Sequence, residues 1–138
     1  CHNDVRRLSK TLSERGYDDI VVLMDGDKDE RGKERVRPTL GAMSQEVRRA
    51  LERAESQKYR RILFYYSGHG HRDDEKRLYL LPPDYDPKNI ARTALSLQEL
   101  LTLFQATKNV PIRMLVLDCC HAGAGRSASA SSGSARGR

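Results

Sequence analysis

The chain has 138 residues, with 25 Lys and Arg against 19 Asp and Glu and a formal net charge of +6. This length suits one domain with its own core. The basic residues are mixed with acids and are not grouped around stacking aromatics, so we expect no nucleic-acid partner. No stretch approaches the roughly 18 apolar residues of a membrane span, so we expect no membrane partner.

The three cysteines are an odd number, and Cys119 and Cys120 are adjacent. This pattern does not form a disulfide framework and favours a reducing, cytoplasmic setting. The Cys-Cys-His segment also lacks the paired spacing of common zinc sites. We therefore expect no metal ion and no cofactor.

The first element in chain order is an amphipathic helix over residues 3–15, with Asn3 or Asp4 as its N-cap and Gly16 as its stop. Its apolar residues recur at spacings of three and four: Val5, Leu8 and Leu12. Residues 19–24 contain a short apolar, β-branched run that predicts a buried strand. A highly charged segment with two glycines, 25–37, predicts an exposed loop.

A second helix is predicted from Thr39 onward, followed by an apolar strand at 61–66. The helix carries its apolar residues on one face: Met43, Val47, Leu51 and Ala54. A glycine- and charge-rich loop at 68–77, a brief strand at 78–81 and a proline-rich turn at 82–87 come next.

A third helix is predicted at 96–106 with Ser96 as its cap, and a second long apolar strand at 112–117. Strands and helices therefore alternate, which predicts an α/β fold with a mostly parallel sheet. We assign residues 1–123 to one domain and the Ser/Ala/Gly/Arg-rich residues 124–138 to a flexible linker or loop.

Two motifs follow the two long apolar strands. Tyr66-Ser67-Gly68-His69-Gly70 follows the first, and Asp118-Cys119-Cys120-His121-Ala122-Gly123 follows the second. Functional sites of α/β proteins commonly lie near the carboxyl ends of parallel strands. A thiol within reach of an imidazole is the minimal arrangement for a cysteine nucleophile. About fifty residues separate His69 from Cys120, as in caspases.

The order of elements and these two motifs resemble the caspase-like cysteine peptidases, most of all the metacaspase and orthocaspase branch. The resemblance covers roughly residues 1–125 and includes the opening Cys1-His2-Asn3-Asp4-Val5. It implies a caspase-like three-layer αβα sandwich with a mostly parallel sheet, incomplete at both ends. The family strand that precedes Cys1 and those that follow the cysteine loop are missing, so we expect little activity from these residues alone.

The resemblance also implies roles for single residues. His69 is expected to be the catalytic base and acid, and Cys120 the nucleophile, with the backbone N–H groups of Gly70 and Cys120 as oxyanion donors. Asp4 and Asp118 are expected to line a pocket for Arg or Lys, so the substrates would be proteins or peptides with a basic residue before the cut. Arg126, in the flexible tail of an Arg-specific enzyme, is a candidate self-cleavage site.

Other interpretations of these residues stay open. Asp4 could serve only as a helix cap, and Cys119 is better explained as a small buried group than as a nucleophile. The acidic pair with which many metacaspases bind calcium is absent from residues 94–99, which leaves Asp84 as the one plausible ligand, so we expect calcium independence. The alternative function is a catalytically silent caspase-like interaction or scaffold domain.

Overall fold

A computed structural model of the chain describes residues 2–123. Cys1 and the predicted linker 124–138, which includes Arg126, lie outside the described residues. The helices are α1 (His2–Glu14), α2 (Leu40–Ser56), α3 (Ile90–Thr93) and α4 (Leu97–Ala106). The strands are β1 (Arg61–Arg72), β2 (Leu78–Leu81), β3 (Leu95–Ser96) and β4 (Ile112–Gly123).

The four strands form one sheet in the order β3-β2-β1-β4. The longest ladder is parallel and joins β1 to β4 along their full lengths, from Arg61 opposite Ile112 to Arg72 opposite Gly123. The short strand β2 pairs antiparallel with the end of β1, and β3 pairs antiparallel with β2. The predicted α/β class and the parallel pairing of the two long strands are confirmed.

The two longer helices that follow loops begin at side-chain caps. Thr39 Oγ1 accepts a hydrogen bond from the Ala42 amide at 3.2 Å at the start of α2, and Ser96 Oγ accepts one from Glu99 at the start of α4. Such caps satisfy amides that have no partner inside the helix. Both predicted helix starts are confirmed.

Helices α2 and α4 pack on one face of the sheet and form the core with it. The buried cluster contains Met43, Leu51, Leu80, Leu95, Leu100 and Phe104. The ring of Phe104 meets the ring of Phe64 on β1 edge to face, with centroids 6.5 Å apart. Since strand side chains alternate between faces, this packing decides which residues of β1 and β4 point inward.

The opposite face of β4 is exposed. Ile112, Met114 and Val116 keep 50%, 39% and 45% of their surface accessible, whereas Leu115 and Leu117, between and beyond them, pack against the core cluster. The same alternation continues into the cysteine motif, where Cys119 packs against the core and Cys120 is exposed. The two neighbouring thiols therefore lie on opposite faces of the sheet.

The strand predicted at 19–24 is wrong, because this segment has no regular structure. Residues 20–23 line a cavity of about 700 Å³ together with residues 61–67 of β1, and they are not paired with that strand. A strand needs a neighbour for its backbone hydrogen bonds. At Met24 the segment does find one partner, since its amide donates to the Val36 carbonyl at 3.0 Å.

Helix α1 differs from its prediction at its first turn. Asn3 and Asp4 lie inside the helix, so neither is the N-cap, while Gly16, with φ of +85°, follows the helix end as predicted. The helix is anchored by Arg6, whose guanidinium pairs with the buried Asp27 in the charged segment; Arg35 Nε pairs with the same carboxylate at 3.0 Å. That segment is thus a folded turn with a buried acid.

Both long strands extend further than predicted. Strand β1 reaches Arg72 and β4 reaches Gly123, so the loop predicted at 68–77 shrinks to a turn after Arg72. His69 and Cys120 therefore lie within the strands rather than just beyond them. Residue-level patterns missed this because the two glycines of the first motif are typical of loops. Within residues 2–123, no helix has the length and apolarity needed to cross a membrane.

Candidate active site

His69 and Cys120 occupy the same rung of the parallel β1–β4 ladder. Adjacent strands lie about 4.8 Å apart, and residues on one rung point to the same face. Both residues are exposed, on the face opposite to α2 and α4. The fold thus brings an imidazole and a thiol, far apart in the sequence, side by side at the surface.

Asp118 lies on the same face of β4 as Cys120, two residues before it, and is also exposed. Its neighbour on the β1 ladder is Ser67. Residues two apart on a strand are separated by about 6.6 Å, so the Asp118 carboxylate flanks the thiol. The polar group nearest to Cys120 along its own strand face is therefore an acid.

Asp4 is exposed in the first turn of α1, an element separate from the sheet. The chain just past the other end of α1 lies at the start of β1, because the Arg61 guanidinium stacks over the Tyr17 ring at 4.8 Å. Val5 and Ser67 line the same cavity. Helix α1 and strand β1 therefore border one cavity. A shared pocket for Asp4 and Asp118 stays a prediction.

Cys119 has the opposite environment to Cys120. Its side chain packs against the core cluster, and burial raises the pKa of its thiol, with the charges of Cys120 and Asp118 adding to the effect. A thiol held in the neutral form is a poor nucleophile. These contacts match the interpretation of Cys119 as a small buried group.

The two glycines of the first motif lie on the core face, where neighbouring side chains come close to the position of a Cβ atom. A Cβ at Gly68 would lie 2.7 Å from Tyr66 Oη, and a Cβ at Gly70 would lie 3.1 Å from Cys119 Sγ. Glycine is needed here because of these close approaches. His69, between the two glycines, points to the open face. On the core face, Tyr66 contacts Gly68 and Cys119 contacts Gly70.

Tyr66 is the residue of this site that sequence reasoning missed. Its hydroxyl lies 2.8 Å from the His69 carbonyl oxygen and 3.0 Å from that of Leu81, and donates towards both. The available signal was an aromatic residue two positions before a glycine in a strand, since residues i and i+2 share a face.

The predicted oxyanion donors, Gly70 and Cys120, lie on the two long strands. Gly70 pairs with Leu80 on β2 and with His121 on β4, so its amide lies in the plane of the sheet between two strands. Cys120 lies on β4, whose other edge has no pairing strand among residues 2–123. Their roles stay predictions.

Metal binding has no support in the described part of the chain. Among residues 2–123, no three His, Cys, Asp or Glu side chains are grouped so that they could hold a metal ion. Asp84, the one plausible calcium ligand, instead accepts a hydrogen bond from the Leu40 amide at 3.2 Å, at the start of α2. Its carboxylate contributes to a helix start.

Comparison with known families agrees with this geometry. A family model for the caspase domain matches residues 1–137. The chain belongs to the caspase domain family. This places it among the cysteine peptidases and confirms the caspase-like fold class. A comparison with curated proteins gave no match.

The two motifs lie on adjacent strands of this caspase domain. In this chain the histidine segment ends β1 and the cysteine segment ends β4, and a single parallel ladder joins them. Membership in the family gives the class of chemistry. The residue that precedes the cut, and the branch within the family, are finer questions.

Proposed function

We propose that this caspase domain is an endopeptidase of the metacaspase and orthocaspase type that cleaves after Arg or Lys. The observation that carries the proposal is the shared rung of His69 and Cys120 on the open face of the sheet. Asp118, an exposed acid on the same face, supports the basic specificity.

In the proposed mechanism His69 takes the proton of the Cys120 thiol, and the thiolate sulfur attacks the carbonyl carbon of the scissile peptide bond. The C–N bond breaks as His69 gives its proton to the leaving amine, and a thioester remains on Cys120. His69 then takes a proton from water and the hydroxide oxygen attacks the thioester carbon; the C–S bond breaks as His69 returns that proton to the sulfur, and the acid product leaves.

The amides of Gly70 and Cys120 are proposed as donors to the oxygen that becomes negative during both attacks. A donor of this kind contributes about 2.7–4 kcal/mol of transition-state stabilisation in a comparable hydrolase. For Gly70 this requires that the amide turn out of the sheet plane towards the substrate, because it lies between β2 and β4.

The specificity follows from charge. The Asp118 carboxylate lies on the face and strand of the proposed nucleophile, where it attracts a basic side chain and repels an acidic one. Asp4 is proposed as the second acid, since it is exposed and its neighbour Val5 lines the same cavity as Ser67 on β1. Arg should be preferred to Lys, because a guanidinium can bind a carboxylate through two parallel hydrogen bonds.

Two further expectations belong to this proposal. Arg126 is a candidate site of self-cleavage, and Arg126→Ala should remove that product from the processing pattern. Partners would be protein or peptide substrates, and a reducing compartment such as the cytoplasm would keep the thiol active. Addition of calcium should leave the cleavage rate unchanged; stimulation by calcium would contradict the assignment.

The test of the chemistry is peptide cleavage by the full-length protein, with Arg, Lys or Asp before the scissile bond and Cys120→Ala as the inactive variant. We expect cleavage after Arg and Lys that the variant loses. Cleavage after Asp alone would refute the basic pocket. No cleavage by a folded protein would refute the peptidase and favour the scaffold function.

The test of the pocket is Asp118→Asn, with Asp74→Asn as the matched control on an exposed turn. A hydrogen bond to a charged group contributes about 1.5–3 kcal/mol, so kcat/KM for an Arg peptide should fall roughly 10- to 100-fold. The control should leave it unchanged. An equal loss for Arg and for neutral peptides would show that Asp118 does not select the basic side chain.

A further inference from the structure

We infer that Tyr66 is a positioning residue, whose hydroxyl holds the backbone at His69 so that the imidazole stays on the Cys120 rung. The inference rests on the proposed function, because it gives His69 a catalytic role. Tyr66 itself lies on the core side of the sheet, facing away from Cys120.

The contacts of the hydroxyl are the first support. Tyr66 Oη is within hydrogen-bond distance of two carbonyl oxygens, those of His69 at 2.8 Å and Leu81 at 3.0 Å. A phenol has one proton to donate, so the two acceptors share it. The hydroxyl thereby links the backbone of β1 at the histidine to the backbone of β2.

The position of this link in the sheet is the second support. The β1–β2 ladder begins at the rung of His69 and Leu81, and Pro82, which follows Leu81, is fully buried and has no N–H to add another rung. Towards the start of β1, β2 makes no further pairs. The Tyr66 hydroxyl therefore replaces the missing rung next to the histidine.

The position of the Tyr66 ring and the protonation of its hydroxyl are the third support. The ring packs over Gly68, where a Cβ would lie 2.9 Å from Tyr66 Cζ. The ring therefore lies flat along β1 against the backbone of Gly68. Burial raises the pKa of Tyr66 to about 12, and the charge of Cys119 adds to the effect. The hydroxyl thus stays protonated and able to donate throughout the neutral range.

The variant that isolates the hydroxyl is Tyr66→Phe, which removes one oxygen and keeps the ring over Gly68. The matched control is Tyr65→Phe, the neighbouring tyrosine on the other face of β1, on the rung of Val116. Misplacing a catalytic group by about 1 Å can cost roughly 100-fold in rate, so a loosened His69 should be measurable.

The measurement is the rate of Cys120 alkylation by iodoacetamide against pH in the full-length protein, with the labelled site assigned by tandem mass spectrometry. His69→Ala defines the profile of a thiol without its partner. Tyr66→Phe should slow alkylation at neutral pH roughly tenfold and move the profile towards that of His69→Ala. It should lower kcat for an Arg peptide by a similar factor with little change in KM, and Tyr65→Phe should match the wild type.

The outcomes separate the inference from the proposed function. If His69→Ala changes the profile and Tyr66→Phe overlays the wild type, the positioning role is refuted and the dyad stands. If His69→Ala also overlays the wild type, the dyad is refuted and the inference with it. Should Tyr66→Phe not fold, Gly68→Ala gives the same measurement, since its Cβ displaces the hydroxyl without removing it.

Discussion

The thiol of Cys119 fills the space directly beneath Gly70, where a Cβ atom would lie 3.1 Å from the sulfur. Both residues face the core, one on each of the two neighbouring long strands. The two motifs therefore contact each other on the inner face through Gly70 and Cys119. On the outer face, His69 and Cys120 share one rung. The packed side of the sheet thus lies directly behind the proposed catalytic pair.

This contact predicts that Gly70→Ala and Cys119→Ala compensate each other. Gly70→Ala alone should lower the free energy of unfolding by about 1–3 kcal/mol, because the added methyl overpacks the site. The double variant should lose clearly less than the sum of the two single losses, since removal of the sulfur makes room. Urea unfolding of the four proteins measures the coupling.

Gly41→Ala is the control for this cycle. Gly41 lies in α2, and a Cβ there would meet no atom within 4 Å, so alanine should stabilise the helix by about 0.5–1 kcal/mol. Strictly additive losses at Gly70 and Cys119 would show that the two residues do not share the space.

The opposite environments of the two adjacent thiols predict selective labelling. At neutral pH a soluble alkylating reagent should modify the exposed Cys120 well before Cys119, whose thiol pKa is raised by burial. In a denaturant the two rates should become similar. Tandem mass spectrometry assigns each label, and preferential modification of Cys119 in the folded protein would contradict the strand register.

The buried Asp27 predicts a pH-dependent contribution to stability. The Arg6 guanidinium holds the pKa of this carboxyl below its usual range, against the opposing effect of burial. Since the folded pKa is the lower one, the contribution is present above the ordinary Asp pKa of about 3.9 and is lost as the pH falls through the folded value.

Asp27→Asn should therefore lower the urea midpoint at neutral pH and flatten its fall towards about pH 3. Asp25→Asn is the control, because its ion pair with Arg37 is half exposed and such pairs contribute little. If both variants follow the wild-type dependence on pH, Asp27 does not anchor α1 to the charged segment.

The core predicts unequal losses at neighbouring leucines of α4. Leu100 is fully buried among α2, α4 and the sheet, so Leu100→Ala should cost about 2–5 kcal/mol in the free energy of unfolding. Leu101 is only partly buried and should cost less when changed to Ala. Chemical denaturation gives both values; equal losses would contradict the assigned inward face of α4.

The positions of α2 and α4 were predictable because they depend on local spacing and local caps. The apolar spacing of α2, the Thr39 cap and the Ser96 cap are each complete within a few residues, and the structure keeps them. The strand predicted at 19–24 failed because a strand needs a neighbour. An apolar run predicts only that a segment avoids water. In this structure the run borders a cavity and does not join the sheet.

The sequence by itself determined the α/β class, the two motifs and the family they resemble, because hydrophobic periodicity and motif spacing are properties of the chain. Only the tertiary structure decided that His69 and Cys120 share one rung, that Cys119 faces the core, and that Tyr66 holds the histidine backbone. These facts depend on the register between two strands about fifty residues apart. That register is set when the apolar residues of both strands pack on the same core, which neither segment shows by itself.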